Sequence, residues 1–431
     1  MNLLKEVLRH QVYPAMGCTE PVSVALCAAY AAKALGEPAR EARLTLDPGT
    51  YKNGMGVTLP NTGGRKGNLL AAAIGLELAA PDMKMRILEG ATPALVARAA
   101  RRARSGAVTV NVLAETRTIH IEARLKGRGH TARCLISDSH TDVTVLERDG
   151  RRLATPGEKT RSKPTAYKDR LQRLSIRDMV RLAQRMDRED LAYVKKGVEM
   201  NFAAARAGMH LRKVGFYLQD LLKKGLLLDD VFSSAKIQTA CAADARMDGA
   251  AVPVMSSGES GNQGIVAILV PHIVGKAFRV REDTVLRSIG LSHLLNAYVK
   301  LFTGGLAPIC GCSIAAGVGA AGAIVFQRKG ADVRGITLAI NNLISDLGGM
   351  LCDGAKSGCA LKVVSSADAA IRSAYMGIHH YGITEQEGFV GKTAEATIRN
   401  LGRISTVGMS QVDKTIVGIM LDKQRPRQCD A

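Results

Sequence analysis

LAPICGCSIAAGVGAAGAIVF, residues 306–326, decides what kind of molecule this chain builds. The stretch carries no charge and is long enough to cross a bilayer. Yet it contains Pro308, Cys310 and Cys312, and its bulk is Gly and Ala rather than Leu, Ile or Phe. That composition predicts a buried loop and helix lining a site, not a membrane span. Outward from it, Cys352 and Cys359 lie in GGMLCDGAKSGCA (348–360), and Cys18 lies in MGCTEP (16–21). Thiolates on uncrowded, glycine-rich backbone suit a soft metal centre, because the chain can approach the ligand closely. The chain has 9 cysteines in 431 residues, and charges run through MNLLKEVLRHQVYPAMGC where a signal peptide would need an apolar stretch. Both point to a reducing, cytoplasmic setting, where thiols bind metal more often than they form disulfides. The chemistry to expect is a cysteine-bound iron–sulfur cluster.

The rest of the composition bounds the partners. A hydrophobic content of 46% and a charged content of 23% are ordinary for a globular chain. The net charge of +20 comes largely from arginine clusters such as Arg98, Arg101, Arg102 and Arg104. Aromatics are only 4%, Trp is absent, and no basic–aromatic interleaving or helix-turn-helix pattern accompanies the charge. A solvated surface that steers small anions is therefore expected, with no nucleic-acid or membrane partner.

Pattern divides the chain into an N-terminal helical part with Cys18 (1–103), a small antiparallel β region (104–150), a polar linker (151–170) and a helical catalytic domain (171–431). The β region is read from alternation in AVTVNVLAE, TIHIEARLK, TARCLISD and DVTVLERDG, separated by turn signals. The class is α+β, mainly α-helical, and the Ala- and Gly-rich helices suit a homodimer.

MGCTEP, SSGESGNQGI (256–265), NAYVKLFTGGLAPICGCSIAAGVGAAG (296–322), GGMLCDGAKSGCALKV (348–363) and TIRNLGRISTVGM (397–409) together resemble the L-cysteine desulfidase family. That family is related to the alpha chain of iron–sulfur L-serine dehydratases. The resemblance implies a serine-dehydratase-alpha-like helical domain and a lyase with a [4Fe–4S] cluster, without pyridoxal phosphate. It places three ligands at Cys18, Cys312 and Cys352 and leaves one iron open for a small amino-acid substrate. Such an iron acts as a Lewis acid, which a cluster with four protein ligands cannot do. Cys310 and Cys359 stay as rival ligands. Cys27, Cys134 and Cys241 read as small buried hydrophobes, and Cys429 as a tail thiol. The implied reaction is β-elimination of L-cysteine to pyruvate, ammonia and sulfide. L-serine dehydration by the same chemistry is the alternative, and a non-catalytic iron–sulfur redox sensor is the reading from another class.

Three further stretches offer substrate contacts. Ser256, Ser257, Ser260 and Asn262 belong to a loop able to cradle a carboxylate if a helix follows. Asn61, Arg65 and Lys66 sit in NTGGRKG (61–67), which reads equally as an exposed loop. His140 ends the strand of ISDSHTDV and is a possible carboxylate partner. For the proton-abstracting base the sequence leaves Lys356, Asp353, Lys300 and Ser257 open.

Overall fold

A computed structural model describes residues 2–113, 118–156 and 166–424. Cys429 lies outside the described residues, as does part of the expected linker. The first half runs α1 (Leu3–Gln11), β1 (Pro14–Ala15), α2 (Thr19–Leu35), β2 (Glu41–Leu46), α3 (Pro48–Met55), α4 (Asn68–Leu78) and α5 (Pro93–Arg104). Strands β3 (Val108–Val112), β4 (His120–Lys126), β5 (Thr131–Ser137), β6 (Val143–Arg148) and β7 (Arg151–Arg152) follow. Then come α6 (Ala166–Gln172), α7 (Ile176–Gln184), α8 (Arg188–Gly208), α9 (Val214–Lys223), α10 (Val231–Met247), β8 (Val254–Met255) and α11 (Gly261–Ala277). The chain closes with α12 (Glu282–Thr303), α13 (Ala315–Lys329), α14 (Val333–Leu347), α15 (Cys359–Ile378), α16 (Ala394–Arg403) and α17 (Val412–Asp422). The fold is mainly helical with small sheets, in the α+β class.

The chain forms two compact units, and they divide it elsewhere than composition does. A helical unit holds Met1–Thr19, Lys159–Cys352 and Ser357–Thr406. A sheet unit holds Glu20–Glu158, Asp353–Lys356 and Val407–Ala431.

In the helical unit α13 is the hub, packed by α11, α12, α14 and α15. Its residues from Ala315 to Gln327 are all buried. Glycine makes this possible. A Cβ at Gly319 would stand 2.5 Å from the backbone oxygen of Ser292 on α12, so only glycine lets these two helices meet at that point. The α13 part of the uncharged stretch that mimics a membrane span is thus enclosed by other helices. Among the described residues no helix is long and apolar enough to cross a membrane. Capping boxes at Ser175/Asp178 and Asp187/Asp190 start α7 and α8, each satisfying first-turn N–H groups that would otherwise lack acceptors.

In the sheet unit six strands pair in the order β3-β2-β4-β5-β6-β7. Four of the pairings are antiparallel, and β4–β5 and β5–β6 join expected strands, but β2 comes from the stretch expected to be helical, pairs antiparallel with β4 and runs parallel to β3. Register places Leu44 opposite Ala123 and Ala123 opposite Cys134, all fully buried on one face. On the other face Arg124 stands opposite Arg133. Like charges so placed repel, and Glu122 lies between them, with its Oε1 3.0 Å from Arg124 and 2.7 Å from Arg133. Burial pushes the Glu122 carboxyl up, but the two guanidiniums outweigh it and hold the group below the usual carboxylate range.

Candidate functional site

Four thiols meet at the entry to α13. Cys310 and Cys312 share a hydrogen bond, and Cys312 also feels the charges of Cys359 and Cys352. Backbone bonds fix the arrangement: the Cys310 N–H donates to Met350 O (2.8 Å) and the Cys352 N–H to Pro308 O (2.7 Å). Ile309 and Leu351 form a single antiparallel bridge between the two cysteine-bearing loops. Cys310 is the thiol pushed down, first by the bond from Cys312, against burial, with help from Lys362. Cys359, like Cys352, therefore lies within electrostatic reach of Cys312. Among the described residues no three His, Cys, Asp or Glu side chains are close enough to hold a single ion. A cubane spreads its thiolates wider than one ion does.

The loop before α11 lies against this group. Gln263, buried in the first turn of α11, stands where a Cβ at Gly311 would press on it at 2.6 Å, so it touches the Cys310–Gly311–Cys312 turn. Its Oε1 is buried and has no partner in the protein. At the loop's other side Thr19, the residue after Cys18, donates from Oγ1 to Glu259 O (3.3 Å). Cys18 itself is buried. A thiol-only set on glycine-rich loops, beside an unpartnered buried amide oxygen, fits an iron–sulfur cluster.

Within the loop the serines divide by role. Ser256 accepts from Tyr13 N (2.9 Å) and donates to Gln11 O (3.1 Å), so its hydroxyl clasps the β1 side and is committed to backbone. Ser257 is buried with its Oγ 2.8 Å from His293 Nδ1 and 2.8 Å from Asn296 Nδ2. Ser260 caps no first-turn N–H of α11 with its side chain, and its backbone bridges Ser257. Asn262 accepts from Arg246 (3.2 Å). Lys300 donates from Nζ to Gly258 O. His293, Asn296 and Lys300 are three, then four, residues apart, which puts them on one face of α12 under the loop. Burial lowers the His293 pKa to about 3, so its ring is neutral. Sequence reading missed His293 and Asn296. Their signal was helical spacing ahead of Lys300, and Asn296 opens one of the stretches that carry the resemblance.

The remaining candidates belong to the sheet unit. Asp353 and Lys356 form an ion pair with each other, and both are partly exposed. His140 is buried, with Nε2 3.9 Å from Glu20, whose Oε1 accepts from Asn53 (2.9 Å). Asn61 has a left-handed backbone (φ 59°) and donates to Leu88 O, while Arg65 and Lys66 face solvent. NTGGRKG is therefore an exposed loop closed on itself, with Leu59 N–H on Arg65 O and Thr62 Oγ1 on Leu59 O. Cys27, Cys134 and Cys241 are buried, and burial pushes the Cys241 thiol up to about 12.

The comparisons place this mainly helical chain in a known family. Residues 82–418 match the model of the serine dehydratase alpha chain, and the chain belongs to that family. It is 57% identical over 423 residues to a UPF0597 protein of Elusimicrobium minutum, covering 98% of this chain and 100% of that one. A UPF0597 protein of Geobacter sulfurreducens is 53% identical over 425 residues, covering 98% and 99%. One from Desulfotalea psychrophila is 38% identical over 432 residues, covering 98% and 99%.

Proposed function

We propose that this protein is a β-eliminating lyase that converts L-cysteine to pyruvate, ammonia and sulfide at a [4Fe–4S] cluster. Cys312 and Cys352 would hold the cluster, with Cys18 as third ligand and Cys359 and Cys310 as its rivals. What carries this reading is the gathering of Cys310, Cys312, Cys352 and Cys359 beside a buried loop, with Gln263 Oε1, His293 Nε2 and Asn296 Oδ1 left without partners around it. When bound, the cluster would supply an open iron that draws electrons from the substrate's thiol or hydroxyl and makes it a better leaving group.

The chain's own residues do the rest. First-turn N–H groups of α11, uncapped by Ser260, receive the substrate carboxylate. Asn296 donates to Ser257 Oγ, and the neutral His293 ring fixes that hydroxyl's direction. Because burial makes an imidazolium costly at His293, the ring orients Ser257 rather than taking a proton outright. Lys300, which donates to Gly258 O, is the proposed base for the α-proton. Asp353 and Lys356, which follow Cys352 in the chain, are the alternatives. A homodimer is the proposed assembly.

The family description favours L-serine as the second reading. Anaerobic reconstitution followed by assays for pyruvate and sulfide from L-cysteine, and pyruvate from L-serine, decides between them. Serine turnover without sulfide release from cysteine would reverse the order of substrates. No turnover of either, with salt-sensitive nucleic-acid binding, would replace the lyase by a sensor. Cys312→Ser and Cys352→Ser should each remove the brown absorbance of the reconstituted cluster. Cys18→Ser against Cys359→Ser then identifies the third ligand by the same absorbance.

A further inference from the structure

Arg246 sits near the end of α10, only 4% exposed. Its two terminal nitrogens reach Asn262 Oδ1 (3.2 Å) and Thr19 Oγ1 (3.5 Å), both neutral, and its Nε is buried with no partner. Among the described residues no carboxylate pairs with it. A guanidinium is always charged, and burying one without an anion costs far more than two neutral hydrogen bonds return. The charge is also aimed. A Cβ at Gly261 would lie 2.3 Å from Arg246 Nε and 2.7 Å from Cζ, so the guanidinium is pressed against the first residue of α11. That helix has 17 residues and begins with no side-chain cap, so its positive end and free N–H groups face the same place as the unpaired cation. Along this end of α11, Asn262 touches Arg246 and Gln263 touches the Cys310–Gly311–Cys312 turn. Thr19, on the far side of Arg246, is the chain neighbour of Cys18.

We propose that Arg246 and the N-terminus of α11 form the subsite for the substrate's α-carboxylate, with the guanidinium as its counter-charge. The assignment rests on the lyase reading for the identity of the substrate, but not for its chemistry: any small α-amino carboxylate would be held there. Planar, forked donors bind a carboxylate at two oxygens, which lysine cannot imitate. Gly261 is required because any side chain there would displace the guanidinium.

Binding of L-alanine, which has no leaving group, tests the subsite apart from turnover. Calorimetry on the reconstituted protein should find L-alanine bound and L-alanine amide bound roughly 10- to 100-fold more weakly, the loss expected when a charge-assisted bond is removed. Arg246→Gln should bind both equally weakly, and Arg246→Lys should recover only part of the preference. If Arg246→Gln does not fold, Gly261→Ala, which pushes on a flexible side chain, should give the same loss of preference. Undiminished preference for alanine over its amide in either variant overturns the subsite. Preference lost in the variants, with no pyruvate from cysteine or serine in the wild type, leaves the subsite standing and removes the lyase.

Discussion

Two glycine-rich loops of this chain look alike on paper and behave oppositely in the fold. SSGESGNQG and NTGGRKG each precede a helix, α11 and α4, and each has small polar residues around glycine. The first is buried against a helix that presents His293, Asn296 and Lys300 to it, and Arg246 closes on its end. The second turns its glycines and cations to solvent and satisfies its backbone from within. What separates them is not the loop but the helix packed behind it.

The sharpest way to break that contrast is catalytic. Ser257→Ala should lower kcat/KM for pyruvate formation by roughly 100-fold, as expected when a buried, oriented hydroxyl is lost. Asn61→Ala should stay within about twofold, since surface changes away from a site are nearly neutral. Equal losses would erase the distinction.

Stability offers the second test. Gly258 has φ 55°, and a Cβ there would lie 2.7 Å from Lys300 Cδ and 3.0 Å from Asn296 Nδ2. Gly258→Ala combines backbone strain with crowding and should cost about 2–4 kcal/mol in denaturant titration. Gly63 has φ 67° but open space around it, so Gly63→Ala should cost only the backbone part, about 1 kcal/mol.

A third measurement extends the contrast to the two units. Burial raises the Asp244 carboxyl on α10 to about 6, against a bond from the Gly215 N–H and the charge of Lys213. A folded-state pKa above the unfolded one means the native protein binds more protons, so stability falls as pH rises between roughly 4 and 6. Asp244→Asn should flatten that slope and raise stability at pH 7 by roughly 2 kcal/mol, read from midpoints across pH. Glu122 has the opposite sign: its lowered pKa gives stability present above the unfolded value and lost as pH falls. The smallest effect closes the series. Arg65→Ala should change stability by less than about 0.5 kcal/mol, because it removes an exposed cation that pairs with no carboxylate among the described residues.

Much of this was legible in the residues. Pro308, the thiols and the Gly–Ala bulk marked residues 306–326 as interior, and alternation marked β3 to β6. β2 escaped because EARLTL sits between helices in sequence, and its partners lie more than sixty residues away. The exposure of NTGGRKG was left open, since composition cannot say what packs behind a loop. Arg246 was hidden by its setting: in a chain with this net charge, one more helical arginine reads as surface. Only burial without an anion gives it meaning.

Gly319 belongs to neither the thiol group nor the Ser256–Ser260 loop, yet it joins the two halves of the site. It seats α13, whose entry turn carries Cys310 and Cys312, directly on the α12 backbone, whose next turns carry His293, Asn296 and Lys300. A methyl group added at Gly319 would lever the sulfurs away from the hydroxyl without touching either, so damage at this remote contact would read as loss of chemistry.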